Sequence, residues 1–296
     1  MKSVMSFPER GNYGNSNWRG NTSGYVIKEL VEHFNPKLFV DACEGSGTSR
    51  DVCKEMGIEY VGLDLYKGQD FTKDSILTQL PRPADICFTH PPYHSMIQYS
   101  GSVYGNEIIS GDTSHCESPE EFISKSQVML MNQREATIEN GIYCTLIGDQ
   151  RGGSLGKGNF RSYQADFISM MPKDELLSVV VKLQHKCLSD SRTYSGSFIP
   201  CMHEYLLIWK KKQQSLFAVS FDIASELQSR VATTWRNVIR IVMMKLQKAD
   251  LETIYKEVEK VAANLINNNA NWKAKIRQLL QKHFTNVQRG IWSINN

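Results

Sequence analysis

The chain has 296 residues, of which 41% are hydrophobic and 22% charged, with 20 Gly and 9 Pro; this excludes a disordered or collagen-like chain and, at this length, suggests two domains. The longest apolar candidate, 238–246, is interrupted by Arg240 and Lys245 and falls short of the ~18 residues a membrane helix needs, so no membrane partner is expected. The net charge of +3 is uneven: residues 214–296 hold 12 Lys/Arg against 6 Asp/Glu, and the rest hold 22 against 25, so a basic carboxy-terminal module that suits a polyanion follows a slightly acidic body.

The opening MKSVMSFPERGNYGNS lacks the apolar core of a signal peptide. Seven Cys (43, 53, 87, 116, 144, 187, 201) form no CxxC pair, which predicts reduced thiols in a cytoplasmic protein. A first strand, 38–43, ends in the turn Glu44-Gly-Ser-Gly47; a helix at 49–56 and a strand at 60–64 follow. Further strands are expected at 85–89, 142–147, 177–181 and 204–209, with helices at 119–140 and 162–170. Strand–helix alternation of this kind predicts an α/β domain whose mostly parallel sheet has helices on both faces.

Lys210-Lys-Lys212 and Gln213-Gln214 mark a boundary, giving domains 1–213 and 214–296. Beyond it, helical periodicity covers 221–230, 234–248, 251–265 and 271–283, with Asp250 as an N-cap, and 285–294 reads as a turn with short strands. That order fits a small helical, winged-helix-like domain. In 271–282, Trp272, Ile276 and Leu279/Leu280 share one face, whereas Lys273, Lys275, Arg277 and Lys282 fall on others, as a helix on DNA requires. Arg289-Gly-Ile-Trp292 resembles a wing tip. The other reading of this module is a helical bundle for dimerisation or for support of the sheet; Trp235, Trp272 and Trp292 are assigned to its core.

Asp41-Ala-Cys-Glu-Gly-Ser-Gly-Thr48 lies where the first parallel strand gives way to a helix, at the rim where doubly wound sheets bind ligands. Asp64, at the end of the second strand, is placed to accept from ribose hydroxyls. A dinucleotide enzyme could share this geometry, but the GxGxxG fingerprint is absent, with Arg50 where its third Gly would be. His90-Pro-Pro-Tyr93 follows the strand 85–89 on the same rim.

These motifs, taken in order over residues 15–210, resemble the DNA amino-methyltransferases that use S-adenosylmethionine, whose site carries Asp/Asn/Ser-Pro-Pro-Tyr/Phe. The resemblance implies a Rossmann-like methyltransferase fold. It assigns Trp18, Asn21 and Thr22, in Trp18-Arg-Gly-Asn-Thr-Ser23, to the cofactor's methionine end, and Asp41, Gly45, Ser46, Gly47 and Thr48 to the Gly-rich loop. It makes Asp64 the ribose acid and Asp70-Phe71 the adenine contact; 148–151, 181–185 and 203–207 resemble later sheet motifs. The order matches the gamma arrangement of that family.

An exocyclic amine is a poor nucleophile because its lone pair is delocalised, so acceptors around its hydrogens assist attack. The resemblance gives that task to His90 and the Pro91 carbonyl, has Pro92 stiffen the loop, and has Tyr93 stack on a base rotated out of the duplex. His90 departs from the family pattern: it offers one imidazole nitrogen, and only while neutral. Adenine N6 is the favoured target over cytosine N4. The alternatives are an RNA amine methyltransferase and a catalytically degenerate DNA-binding protein of the same fold. The resemblance implies double-stranded DNA as partner and admits a cognate restriction enzyme; no oligomeric state is legible in the sequence.

His94, Tyr99 and Ser100 are candidates for the target pocket or ordinary loop residues, and 101–116 is a lid or a long connection. The Gly-rich 151–161 segment, with Arg151, Lys157 and Arg161, is a phosphate-contacting loop or a solvated connector. Asp149 is expected to organise loops. His185, His203 and the scattered Cys lack ligand spacing, so no metal is expected.

Overall fold

A computed structural model describes residues 1–152, 155–156, 159–186, 199–213, 215, 235–246, 248–267, 269–288 and 290–293. The helix expected at 221–230, Lys157 and Arg289 lie outside the described residues. The chain forms two compact units, Met1–Val219 and Ser220–Asn296.

In the first unit, β1 (Val4–Ser6), β2 (Leu38–Asp41), β3 (Glu59–Gly62), β4 (Ala84–Thr89), β5 (Thr137–Ile147), β8 (Leu176–Leu183) and β9 (His203–Lys210) form one sheet in the order β1-β8-β9-β5-β4-β2-β3. Two short strands, β6 (Gln150–Arg151) and β7 (Phe160–Arg161), pair separately as a ribbon. Strand β9 is antiparallel to both its neighbours, and the other pairings in the main sheet are parallel. Helices α1 (Gly24–Phe34) and α2 (Thr48–Met56) supply one apolar layer, in which Val26, Ile27, Leu30 and Val52 pack against Phe39, Phe88 and Cys144. Helices α3 (Pro119–Ala136) and α4 (Tyr163–Met170) supply the other, in which Phe122, Met129, Tyr163 and Phe167 pack against Tyr143, Leu207 and Trp209. The architecture is Rossmann-like: a mostly parallel sheet between helices.

Strands β2, β3, β4, β8 and β9 lie within a few residues of the expected apolar runs, whereas β1, β6 and β7 match no expected strand. One boundary differs: α3 ends at Ala136, not 140, and β5 begins at once. The Thr137 hydroxyl donates to the Gln133 carbonyl, and Asn140 turns through a left-handed conformation (φ 61°) inside a register shift against β4. A bulge therefore occupies the last turn that helical periodicity suggested. Gln133, buried in α3, donates to the carbonyls of Cys87 and Cys144 at 2.6 and 2.7 Å, tying the helix to β4 and β5.

A buried carboxylate before β8 ties α3, β5 and the segment after β9 together. Glu175 accepts from Arg134 (2.8 and 2.5 Å), the Tyr143 hydroxyl (2.6 Å), the Lys212 backbone (2.8 Å) and Ser215 (2.7 Å). Burial alone would raise its pKa, but these donors outweigh it and hold the carboxyl at about 2.

The second unit contains α5 (Trp235–Leu246), β10 (Lys248–Asp250), α6 (Leu251–Val261), α7 (Ala263–Asn267), α8 (Trp272–His283), β11 (Thr285–Gln288) and β12 (Ile291–Ser293). The strands form an antiparallel sheet in the order β10-β12-β11. Asp250 caps α6 by accepting from the Thr253 amide at 2.8 Å. The single helix expected at 251–265 is two, divided at Ala262. Val238, Ile239, Ile254, Val258, Ile276 and Leu280 make the core, with Trp292 buried and Trp235 and Trp272 packed against it. Among the described residues, no helix is long and apolar enough to cross a membrane.

Glu175→Ala should lower stability by about 3 kcal/mol, because it leaves Arg134 uncompensated; urea unfolding at pH 7 measures it. The carboxylate's pKa is depressed by folding, so its contribution is complete above the ordinary value of 4.5 and is lost as pH falls toward 2. The variant should therefore show a shallower loss of stability through that window.

Candidate active site

The parallel strands β2, β3, β4 and β5 end at one rim, with Asp41, Gly62 and Phe88 in register across β3, β2 and β4, and Thr89 beside Thr145. Above that rim opens a cleft enclosing about 740 Å³ of space continuous with solvent. Trp18, Asn21, Thr22, Asp41, Gly45 and Ser46 line it, as do Thr48, Asp64, Asp70, Phe71, His90 and Pro92. Gly47 (φ 88°) is the N-cap of α2, Pro91 is buried, and Tyr93 contacts His90 from outside the cleft wall.

Local hydrogen bonds shape the loop after β2. The Asp41 carboxylate accepts from the Cys43 amide (2.9 Å) and the Ser49 hydroxyl (2.5 Å), pinning both sides of the turn. The Gly45 amide donates to Asp64 Oδ2 at 2.8 Å, while Asp64 Oδ1 accepts from the Tyr66 amide at 3.2 Å. Each oxygen keeps acceptor capacity for a ligand hydroxyl. Gly45 has φ 52°, and a Cβ there would come within 3.1 Å of the Trp18 indole nitrogen; the residue is therefore restricted both in conformation and in space. Asn21 donates to Ser46 (2.9 Å) and accepts from Thr48, which ties the amino-terminal segment to the loop. Thr22 Oγ1 is buried in the cleft with no partner among the described residues, a polar atom that a ligand would satisfy.

The charge pattern of the lining is one-sided. Five carboxylates, Asp41, Glu44, Asp64, Asp70 and Asp112, line the cleft with no Lys or Arg among the described lining residues, although Glu44 is paired with Lys67 and Arg50, and Asp70 with Lys73, from outside the lining. Burial drives the Asp41 pKa up to about 7, against the hydrogen bonds from Ser49 and Cys43, and burial also raises Asp64. Trp18, Tyr66 and Tyr104 stand with ring centroids 5.6–5.9 Å apart, and Trp18 and Tyr104 line the cleft with Asp64. Such a cleft suits a hydroxylated ligand with a planar ring and a positive charge, and Asp64 and Asp112, which have no Lys or Arg partner among the described residues, disfavour a pyrophosphate beside them.

The loop after β4 carries the second set of residues. His90 is half-buried, and burial lowers its pKa to about 4, so the imidazole is neutral at pH 7. Its Nε2 lies 2.8 Å from the Tyr93 hydroxyl, and that hydroxyl donates to Glu204 Oε1 at 2.9 Å. Glu204 is paired with Lys182 (2.6 Å). The Tyr93 ring lies against Gly148, where a Cβ would approach Cε2 to 2.6 Å.

Three neighbouring candidates separate. Tyr99 lines the cleft. Ser100 is buried and bonded to Asp112 at 2.7 Å through both its amide and its hydroxyl, and His94 is buried between Phe122 and Tyr163 with Nε2 on the Cys116 carbonyl; neither lines the cleft. Asp70 is occupied by the Thr72 amide and hydroxyl (3.0 and 2.6 Å). Tyr104, Asp112, Cys43, Glu44 and Glu204 were not singled out by sequence reasoning. Tyr104 and Asp112 sit in the irregular 101–116 segment, whose only signal was its length.

Of the basic residues expected to meet DNA, Arg151 lies over the Phe160 ring (5.0 Å) in the ribbon of β6 and β7. Arg161 is engaged by Asp166 and Glu120. Lys273, Lys275, Arg277 and Lys282 are exposed on α8, with the Lys273 ammonium over Tyr255 and Trp272. Asp149 is buried and accepts from the Gln164 amide, a loop-organising contact.

No family profile and no curated protein matches the sequence. Among solved structures, the chain is similar to a SAM-dependent methyltransferase from Archaeoglobus fulgidus (13% identity, 64% of this chain and 95% of that one, TM-score 0.38). It is also similar to a putative DNA modification methylase from Thermus thermophilus (15% identity, 66% and 59%, TM-score 0.33) and to a putative rRNA methylase from Clostridium thermocellum (12%, 63% and 96%, TM-score 0.33). It thus spans 59% of the Thermus protein's length. Likeness at these scores assigns no activity to this chain.

Because folding raises the Asp41 pKa from 3.8 to about 7, the folded state holds a proton that the unfolded state releases in that interval. Stability should then fall as pH rises from about 4 to 7. Asp41→Asn, which keeps the shape without the charge, should flatten that decline in thermal melts recorded across the interval.

Proposed function

We propose that the chain is an S-adenosylmethionine-dependent methyltransferase acting on an exocyclic amine of DNA, with adenine N6 favoured over cytosine N4. The observation that carries this reading is the acidic, aromatic cleft without Lys or Arg among its described lining residues, joined at its rim to His90-Pro-Pro-Tyr93. A dinucleotide would bring a pyrophosphate among carboxylates, whereas a nucleoside bearing a positive sulfur and an ammonium group matches them.

The cofactor supplies an electrophilic methyl group when bound. Asp64 would accept from the ribose hydroxyls, Thr22 Oγ1 would gain a partner, and the N-terminus of α2, which has no side-chain cap, would favour the cofactor's carboxylate. Phe71 would contact the planar ring, and Trp18, with Asn21 and Thr22, would hold the methionine end. On the substrate side, His90 and the Pro91 carbonyl accept from the amine hydrogens, which favours a more tetrahedral nitrogen with an available lone pair. Tyr93, whose ring rests on Gly148 outside the cleft lining, would meet a base turned out of its stack only with its opposite face. Holding amine and methyl group in line supplies much of the rate.

The second unit is read as a winged helix that holds DNA. Its described elements run helix, strand, two helices, helix, strand, strand, with a three-stranded antiparallel sheet, and α8 exposes Lys273, Lys275, Arg277 and Lys282 above buried Ile276 and Leu280. Methylation of RNA is the second reading, since the Pro-Pro-Tyr chemistry does not depend on the sugar. The DNA reading admits a cognate restriction enzyme, and the RNA reading does not.

The primary test is methyl transfer from S-adenosylmethionine to mixed-sequence DNA and RNA, followed by nucleoside analysis. N6-methyladenine in DNA is expected; tight dinucleotide binding with no methylated product would refute the reading. His90→Ala should reduce single-turnover transfer by roughly 10–1,000-fold and leave cofactor affinity within a factor of about two, and His90→Asn should recover part of the loss. Protonation of His90 removes its lone pair, so the rate should be flat near neutrality and fall as pH drops through about 4. Charge reversal of Lys273, Lys275 and Arg277 should weaken DNA binding and make its salt dependence shallower, as fewer counterions are released; titrations at several salt concentrations check this.

A further inference from the structure

His90 is the position at which the chain departs from the Asp, Asn or Ser of the motif it resembles, and an imidazole accepts a hydrogen bond only at its unprotonated nitrogen. Which nitrogen that is follows from the groups behind the ring. Lys182, near the end of β8, and Glu204, near the start of β9, are direct cross-strand partners. The ammonium donates to Glu204 Oε2 at 2.6 Å. Burial alone would raise the Glu204 pKa, but Lys182 and its other neighbours outweigh this and lower it, so Glu204 is a carboxylate and can only accept. The single proton of the Tyr93 hydroxyl therefore goes to Glu204 Oε1 (2.9 Å), and the phenolic oxygen presents a lone pair to His90 Nε2 at 2.8 Å. A hydrogen bond across that distance requires the proton on Nε2. The ring's other nitrogen, Nδ1, has no hydrogen bond among the described residues, and His90 lines the cleft.

We propose that Lys182, Glu204 and Tyr93 are positioning residues that fix His90 in its Nε2–H tautomer, so that Nδ1 is the atom that receives the hydrogen of the target amine. The assignment of Nδ1 rests on the methyltransferase reading above. Once methylated, the amine nitrogen bears a positive charge and is a strong acid. Its N–H bond breaks with the electron pair left on nitrogen, and the proton forms a new bond to the Nδ1 lone pair. The imidazolium so formed keeps its Nε2–H on Tyr93, whose bond to the Glu204 carboxylate stabilises the charge. The proton leaves to solvent when product departs. A weakly basic imidazole suffices because the donor is so acidic; what the chain must secure is a neutral acceptor facing the right way.

The arrangement makes an unusual prediction for Glu204→Gln. Lys182 has no acceptor, so it should hold the new amide oxygen and turn the amide nitrogen toward Tyr93. Tyr93 would then donate to His90 Nε2, and the ring proton would move to Nδ1, where it repels the amine hydrogen. In the double variant Lys182→Met with Glu204→Gln, the amide oxygen is free to face Tyr93, and the original order returns.

The experiment is nitrogen NMR of the full-length protein labelled with 15N at the imidazole ring, in wild type and in these variants, with thermal melting to show that each is folded. The wild-type His90 signals should report Nε2–H, Glu204→Gln should report Nδ1–H, and the double variant should revert. In parallel, single-turnover transfer to DNA should fall by roughly 10–100-fold in Glu204→Gln with cofactor affinity within a factor of about two, and recover in the double variant. An Nδ1–H tautomer in wild type overturns the proposal even if every variant fails to fold, as does an unchanged tautomer in folded Glu204→Gln. Wild-type protein with the Nε2–H tautomer that methylates neither DNA nor RNA would overturn the functional reading and the role given to Nδ1, while the positioning chain would stand.

Discussion

A parallel sheet gathers the carboxyl ends of its strands at one rim, and β9 adds something the others cannot, because it runs the opposite way. Its pairing with β5 sets Tyr205 beside Ile147, and its pairing with β8 sets Glu204 beside Lys182. The first residues of β9 therefore meet the last residues of β5 and β8 and the loop that leaves β4. Without this reversal, Glu204 would sit at the opposite edge of the sheet, and the Tyr93 hydroxyl would have no carboxylate to receive its proton. The antiparallel pairing thus connects the architecture to the protonation state of a residue on the rim.

The two halves of the cleft follow different physical rules. On the side of β2 and β3, carboxylates are held by backbone amides and small hydroxyls: Asp41 by Cys43 and Ser49, Asp64 by Gly45 and Tyr66. These bonds shape the loop but leave acceptor capacity, so the same atoms can organise the turn and bind a ligand. On the side of β4, burial decides. Removing His90 from water disfavours its charged form, whereas the carboxylate behind it is kept ionised by Lys182. A neutral acceptor and a negative carboxylate within a few ångströms are thereby stable together.

The Glu175 cluster shows the same electrostatics used for architecture. Arg134, Tyr143, Lys212 and Ser215 surround one buried carboxylate, and two of them, Lys212 and Ser215, belong to the segment that follows β9. That segment is held to the first unit by a charge that cannot be left unpaired in the interior.

Much of the fold was legible in the sequence because its signals are local. Alternating apolar runs and helical periods predict most of the central strands and helices to within a few residues, though not β1, and the turn Glu44-Gly-Ser-Gly47, Asp64 and His90-Pro-Pro-Tyr93 stand at strand ends where a sheet must present them. The error at 137–140 is also local in origin: helical periodicity continues past Ala136, but pairing with β4 outweighs it and forms a bulge. Tertiary structure alone decided the rest. Tyr104 and Asp112 lie in a segment without periodicity, and they reach the cleft only because the segment folds back over the rim. Glu204 and Lys182 read as ordinary strand residues; Glu204 lies 111 positions beyond Tyr93, and nothing local to either residue signals that they meet. A sequence specifies which side chains can donate or accept. Which of them meet, and therefore which nitrogen of His90 carries its proton, depends on strand order and register, which arise only when distant segments pair.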